Sequence, residues 1–214
     1  MLVLAIDTCL GACSAAIVRG EQTLATLSEP MTRGHQERVA PMVRELMAAA
    51  HAPFSAVDRI GVTVGPGSFT GLRVGLAFAK GLGLALGRPV AGVGVLHALA
   101  QAAPVGPVAA AIDAGRGRFY LQLFEGGEPL APPDVLTLDE ALARVIQAFP
   151  DGAFTLCGPA APQLGEAWPA ARLVEAETPD PVVVARLAGE GPPGPATPLY
   201  LRPPDAIPKV ARRV

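Results

Sequence analysis

Two aspartates sit in matching places in this sequence. Ala5-Ile6-Asp7 closes one apolar run near the start, and Ala111-Ile112-Asp113 closes another a little past the middle. Each is followed by a small-residue turn and a second apolar run. Turns of this kind can hold phosphate through backbone N–H groups, with the carboxylates organising a divalent metal. Equally, an aspartate at a turn can serve its own backbone as an Asx cap. Spacing alone leaves both readings open.

Between them lies Gly65-Pro66-Gly67-Ser68-Phe69-Thr70-Gly71-Leu72-Arg73-Val74-Gly75. A strand ending near Val64, then glycines, then Ser68 as cap predicts a strand–loop–helix unit whose N-terminal N–H groups suit an anion. No Gly-Lys-Ser/Thr follows, so this is not a P-loop, and the acidic residue of a dinucleotide fingerprint is missing. Gly65, Gly67, Ser68 and Thr70 are assigned to a structural loop. Other chemistry is sparse. His35, His51 and His97 are far apart, and Cys9, Cys13 and Cys157 have neither disulfide nor metal-ligand spacing, so no metal site is expected. Buried small side chains are the expectation for the cysteines.

The elements that must position these residues follow from punctuation and periodicity. Strands are expected over 2–8, 12–19, 23–28, 59–64 and 89–93, with helices over about 39–50, 69–86 and up to about 103. Pro41 predicts either a helix start or a kink near it. After Pro104-Val105-Gly106-Pro107 the order begins again: strands at 108–113 and 119–124, an extended piece ending near Leu136, a helix over 138–149 capped by Thr137 or Asp139, a strand at 154–157 and a helix at 181–189. The chain is therefore an α/β protein with a duplicated β-β-β-α-β-α order. Two such halves with mixed sheets facing a cleft describe an actin-like, ribonuclease H-like (ASKHA) architecture. Residues 1–103 form the first lobe and 104–214 the second, with a proline-rich end from about 190 crossing back to the first.

Composition bounds the function. The 214 residues are 50% hydrophobic and 5% aromatic with a net charge of −2, so the core is aliphatic. The dense basic stripe of an autonomous nucleic-acid binder is missing. The basic cluster Lys209-Val210-Ala211-Arg212-Arg213 reads as a solvated end. The first residues lack the basic region of a signal peptide, and 72–86 carries Arg73 and Lys80 and is shorter than the roughly 20 residues of a membrane span. A cytoplasmic protein is the expectation.

The helix after the loop has an unusual stripe. Gly71, Gly75, Ala79 and Gly83 recur every four residues, while Leu72, Val74, Leu76, Phe78, Leu82, Leu84 and Leu86 occupy its other faces. A helix apolar nearly all round must be covered on more than one side. The cover can come from within the chain or from a second subunit. For the second case the partner surface comprises Gly71, Gly75, Phe78, Ala79 and Gly83 with Val39, Met42, Val43 and Leu46 of the preceding helix.

Taken together, these segments resemble the TsaB (YeaZ) family, relatives of the TsaD enzymes of bacterial tRNA threonylcarbamoyladenosine synthesis. The resemblance is carried by Leu4-Ala5-Ile6-Asp7-Thr8 with Ala12-Cys13-Ser14, His35-Gln36-Glu37-Arg38 with Pro41-Met42-Val43, the Gly65–Gly75 stretch, Ala110–Ala114 with Tyr120, and Pro198-Leu199-Tyr200-Leu201-Arg202. It implies a non-catalytic subunit that pairs with TsaD through first-lobe helices and forms homodimers alone. It implies TsaE, a P-loop ATPase, as a further component, and tRNA reached only through the complex. TsaD would transfer threonylcarbamoyl to N6 of adenosine 37 in tRNAs reading codons that begin with A. TsaD-like proteins carry a His-x-x-x-His metal pair after a Gly-Val strand end; from Gly92-Val93 those positions are Val95 and Leu99 here, which cannot ligate a metal. Asp7 and Asp113 then become vestigial nucleotide and magnesium turns, with ATP or ADP at a subunit boundary as the cofactor expectation. The alternative is an ATP-dependent small-molecule kinase or ATPase of the actin-like superfamily. A metalloprotease is disfavoured by the absent histidine pair.

Overall fold

The computed structural model describes residues 1–202; the basic cluster 209–213 expected to be a solvated end lies outside them. In the first half, Leu2–Asp7 (β1), Ala12–Arg19 (β2) and Gln22–Pro30 (β3) make an antiparallel meander. The helix His35–Ala49 (α1) leads through a short 3-10 turn to Arg59–Thr63 (β4), then come Phe69–Leu86 (α2), Val90–Val93 (β5) and Val95–Ala100 (α3). The sheet order is β3-β2-β1-β4-β5, with β4 parallel to both β1 and β5.

The second half repeats this plan. Val108–Gly115 (β6) pairs antiparallel with Arg118–Glu125 (β7), whose other edge takes the two-residue Glu128–Pro129 (β8) and then Asp134–Thr137 (β9). The helix Leu138–Ala148 (α4) precedes Thr155–Cys157 (β10), the short Ala161–Gly165 (α5) and Arg172–Val174 (β11). The order β11-β10-β6-β7 with β9 beyond mirrors the first sheet strand for strand. The short α5 and β11 escape periodicity because each is under two turns or four residues long.

Cover for the sheets is exchanged between halves. The last helix of the described residues, Pro181–Gly189 (α6), packs on β1, β2 and β4 of the first sheet rather than on its own. Val184, Ala185 and Ala188 form a core with Val3, Ala5, Ala16 and Val18. Gly61 makes room for this approach, since a Cβ there would lie 2.6 Å from that of Ala188. Conversely α3 packs on β6 and β7 of the second sheet. The return to the first lobe therefore begins at residue 181, ahead of the expected 190, because a continuous small-residue face on β1 and β4 requires a helix over it.

Local chemistry explains the helix bounds. Thr137 caps α4 in a reciprocal capping box with Glu140, Asp180 caps α6 and Ser68 caps α2. Gly87, at φ +62°, ends α2 in the left-handed conformation that glycine adopts without penalty. Helix α1 runs through Pro41 from His35, one turn earlier than the apolar period alone predicts. Helix α2 is long and apolar enough by length and composition to cross a membrane, but one face of it is packed against the chain's own sheet.

Candidate functional site

Three features meet around the first lobe: the Asp7 turn, the cleft beside Asp113, and the outer face of α1 and α2. The Asp7 turn is closed. Asp7 is fully buried, and its Oδ1 accepts from Thr63 Oγ1 at 2.6 Å and from the Cys9 N–H at 3.1 Å. Its Oδ2 is buried without a protein hydrogen bond. Loss of hydration raises its pKa above the usual carboxylate value, opposed by the hydrogen bonds from Thr63 and Cys9.

What seals the turn is the Gly65–Gly75 segment. Ser68 N–H donates to Cys9 O at 2.7 Å, and Thr8 Oγ1 donates to Gly71 O at 2.7 Å. A Cβ on Gly67 would lie 2.3 Å from Cys9 O, one on Gly71 2.0 Å from Thr8 O, and one on Gly75 2.5 Å from Thr8 Oγ1. Further along, Gly83 stands against Val90. Glycine is thus required because the turn of the β1–β2 hairpin lies directly on the helix backbone. This corrects the expectation of a partner-facing stripe. Gly71, Gly75, Ala79 and Gly83 are buried against their own lobe, as are Met42, Val43 and Leu46 of α1. The loop residues Gly65, Gly67 and Ser68 hold the same junction, while Thr70 points outward.

The Asp113 turn is open. Its carboxylate is exposed and Oδ1 accepts the Gly115 N–H at 2.7 Å. Asp113 lines an interlobe cleft of about 500 Å³ with Leu10, Gly11, Ser28 and Glu177. Asp7 is not among the residues lining it. The structure therefore brings the two turns to one cleft, but of the two turn aspartates only Asp113 lines it, which weakens the arrangement of Asp7 and Asp113 as a metal pair.

The positions of the absent histidine pair are core. Val95 and Leu99 are buried in α3, and His97 between them stacks on Phe124 at 5.4 Å. Among the described residues no three His, Cys, Asp or Glu side chains converge as a metal site. All three cysteines are free and buried; burial pushes Cys13 up to about 11 and Cys157 up to about 12, so none is a ready nucleophile.

The outer face of α1 and α2 remains. A groove of about 500 Å³ runs between them, lined by Gln36, Val39, Ala40, Phe69, Thr70, Arg73, Val74, Ala77 and Phe78. Val39 and Phe78 are the two expected interface residues that reach it. At its lip, Arg73 lies over the Phe69 ring at 3.6 Å and donates to Tyr200 Oη at 3.0 Å. Beyond it Leu84 is 86% exposed. Sequence reading missed Phe69, Arg73, Val74 and Ala77; helical phase relative to the inward glycines is the signal that finds them.

Known proteins resolve what this frame is. The model of the family "TsaD: tRNA N6-adenosine threonylcarbamoyltransferase" matches residues 27–149. A solved structure of YeaZ from Pseudomonas aeruginosa superposes with a TM-score of 0.81 at 33% identity, covering 94% of this chain and 99% of that one. The chain belongs to the TsaB (YeaZ) family. The tRNA threonylcarbamoyladenosine biosynthesis protein TsaB of Haemophilus influenzae is 40% identical over 125 residues, 56% of this chain and 52% of its own length. A ROK hexokinase from Thermus thermophilus, 16% identical with a TM-score of 0.54 over 89% of this chain and all of that one, shares the fold alone and supports its actin-like class. In this chain the duplicated sheets are both present, and the first turn is filled by the chain itself.

Proposed function

We propose that this protein is a non-catalytic subunit in tRNA threonylcarbamoyladenosine formation that binds and activates a TsaD-type transferase. The chain's place in the TsaB family supports the role in that biosynthesis. The finer reading rests above all on one observation: an apolar groove on α1 and α2 beside a catalytic frame that is filled in. Phe69, Val74, Ala77 and Phe78 leave apolar surface on a long helix, and apolar surface rimmed by polar side chains marks a protein-binding face. At the same time Val95 and Leu99 occupy the metal-pair positions and Asp7 is sealed.

In this reading, the partner's homologous helices lie against the groove and complete a four-helix packing, and two copies of this chain use the same face when the partner is missing. A TsaE-type ATPase joins the larger assembly. The partner transfers threonylcarbamoyl to N6 of adenosine 37 of tRNAs reading codons that begin with A. With a net charge of −2, this subunit reaches tRNA through the complex, in the cytoplasm. Any ATP or ADP binds at the subunit boundary, on the Asp113 side of the cleft.

The test is reconstitution with the TsaD-type subunit of the same organism and an adenylate donor. Modification of tRNA is expected only when this chain is added, and full transfer without it would overturn the reading.

A further inference from the structure

After α6 the chain forms an extended strap that touches both lobes. Gly194 O accepts from the Gly92 N–H at 3.1 Å, and Leu199 N–H donates to Val64 O at 2.8 Å, so the strap lies along the ends of β5 and β4. It is tightly seated: a Cβ on Gly92 would lie 2.3 Å from Pro195 O. Tyr200 then meets the lip of the α1–α2 groove, its ring 5.6 Å from that of Phe69 and its Oη accepting from Arg73 Nε at 3.0 Å. Two residues on, Arg202 Nη1 donates to Ala114 O at 2.6 Å in the turn of the second lobe. That turn is the one in which Asp113 binds the Gly115 N–H and faces the interlobe cleft.

We propose that this strap is a clasp linking the α1–α2 docking face to the Asp113 turn, with Tyr200 and Arg202 as its two positioning residues. The inference rests on the docking reading above. Phe69 and Arg73 line the groove, so a partner seated there excludes water from the Arg73–Phe69–Tyr200 cluster. A cation over an aromatic face is held more firmly once desolvated, and fixing Tyr200 fixes the backbone that presents Arg202. The guanidinium then holds Ala114 and with it the turn carrying Asp113. Linkage makes the effect mutual: a turn held closed favours the seated partner.

Amide hydrogen exchange of the full chain, alone and with its TsaD-type partner, tests this. In the wild type the partner should slow exchange in the 114–118 turn, none of whose residues line the groove, by about tenfold or more. Arg202→Ala should still form the complex, weakened by no more than the about tenfold that mutual coupling allows, because it leaves Phe69, Arg73 and Tyr200 in place, yet lose that protection. Tyr200→Phe, which keeps the ring but removes the acceptor of Arg73, should reduce it. An unchanged melting temperature of both variants excludes misfolding as the cause. A complex that forms without slowing the turn, or protection that survives in Arg202→Ala, overturns the clasp while leaving docking intact. Failure of the wild-type pair to form a complex overturns the docking reading and the clasp with it.

Discussion

The two halves of this protein are built on one plan and have diverged at the helix that follows the inner parallel strand, β4 in the first and β10 in the second. In the first lobe that helix is α2, 18 residues long; in the second it is α5, five residues long. Both are entered through a left-handed glycine, Gly65 at φ +97° and Gly158 at φ +100°. In both, the segment after that glycine binds back to the first hairpin, Ser68 N–H to Cys9 O and Ala160 N–H to Ala111 O. Only in the first lobe does a long glycine-faced helix continue across the turn and bury its aspartate. One half of the duplicated frame has become a rigid mount with an outward face, and the other has kept an open turn. Fold class and the capacity to bind are thus separable: the same sheet carries either, according to the length and small-residue face of one helix.

The sharpest way to break this contrast is to restore a side chain where the helix meets the turn. Gly71→Val should destabilise the protein by about 4 kcal/mol or more, since its branches meet the backbone of Thr8 rather than a side chain that can yield. Thermal unfolding would show it as loss of a cooperative transition. A Gly71→Val protein with a melting temperature near wild type would mean the turn is not welded to the helix.

On the outer face the same helix should behave oppositely. Ala77→Glu places a charge in the groove and should weaken the complex with the TsaD-type subunit about 100-fold, or about 2.7 kcal/mol. The melting temperature of the isolated chain should shift by no more than about 2 °C. Comparing it with Gly71→Val separates the two faces of α2.

The two aspartates should differ in the size of their effect on stability. Asp7→Ala strands the Thr63 hydroxyl and the Cys9 N–H and should cost about 2 kcal/mol. Because burial raises the folded pKa of Asp7 above the ordinary aspartate value, the folded state holds the proton more tightly than the unfolded chain. Its contribution is fully present below that value and is lost as pH rises through the folded pKa. Asp7→Asn should therefore flatten the fall in stability above pH 4 or so, read by denaturant unfolding across pH. Asp113→Ala, at an exposed turn, should cost less than about 1 kcal/mol; a larger loss would contradict the assignment of the second turn as open.

Much of this was legible in the residues. The duplication is visible in Ala5-Ile6-Asp7 and Ala111-Ile112-Asp113, and the capping of α2 and α4 in Ser68 and Thr137, because strand ends and caps are local signals. The direction of the glycine stripe was not. Gly71 and Gly75 announce a close approach, but whether to Thr8 or to another chain depends on a contact across more than sixty residues. Burial of Asp7 was hidden for the same reason, since its partner Thr63 comes from a neighbouring parallel strand. The early return of α6 is likewise set by the empty face of β1 and β4, not by anything within residues 181–189.

The central claim is that this chain activates a partner through the outer face of α1 and α2. It is tested most directly by titrating wild-type and Ala77→Glu protein into the TsaD-type subunit and following threonylcarbamoyl transfer to tRNA. Transfer should be negligible without the chain, rise to a plateau with wild type, and need about 100-fold more Ala77→Glu for half the effect. Coincident titration curves for the two proteins, or full transfer with neither present, would contradict the account.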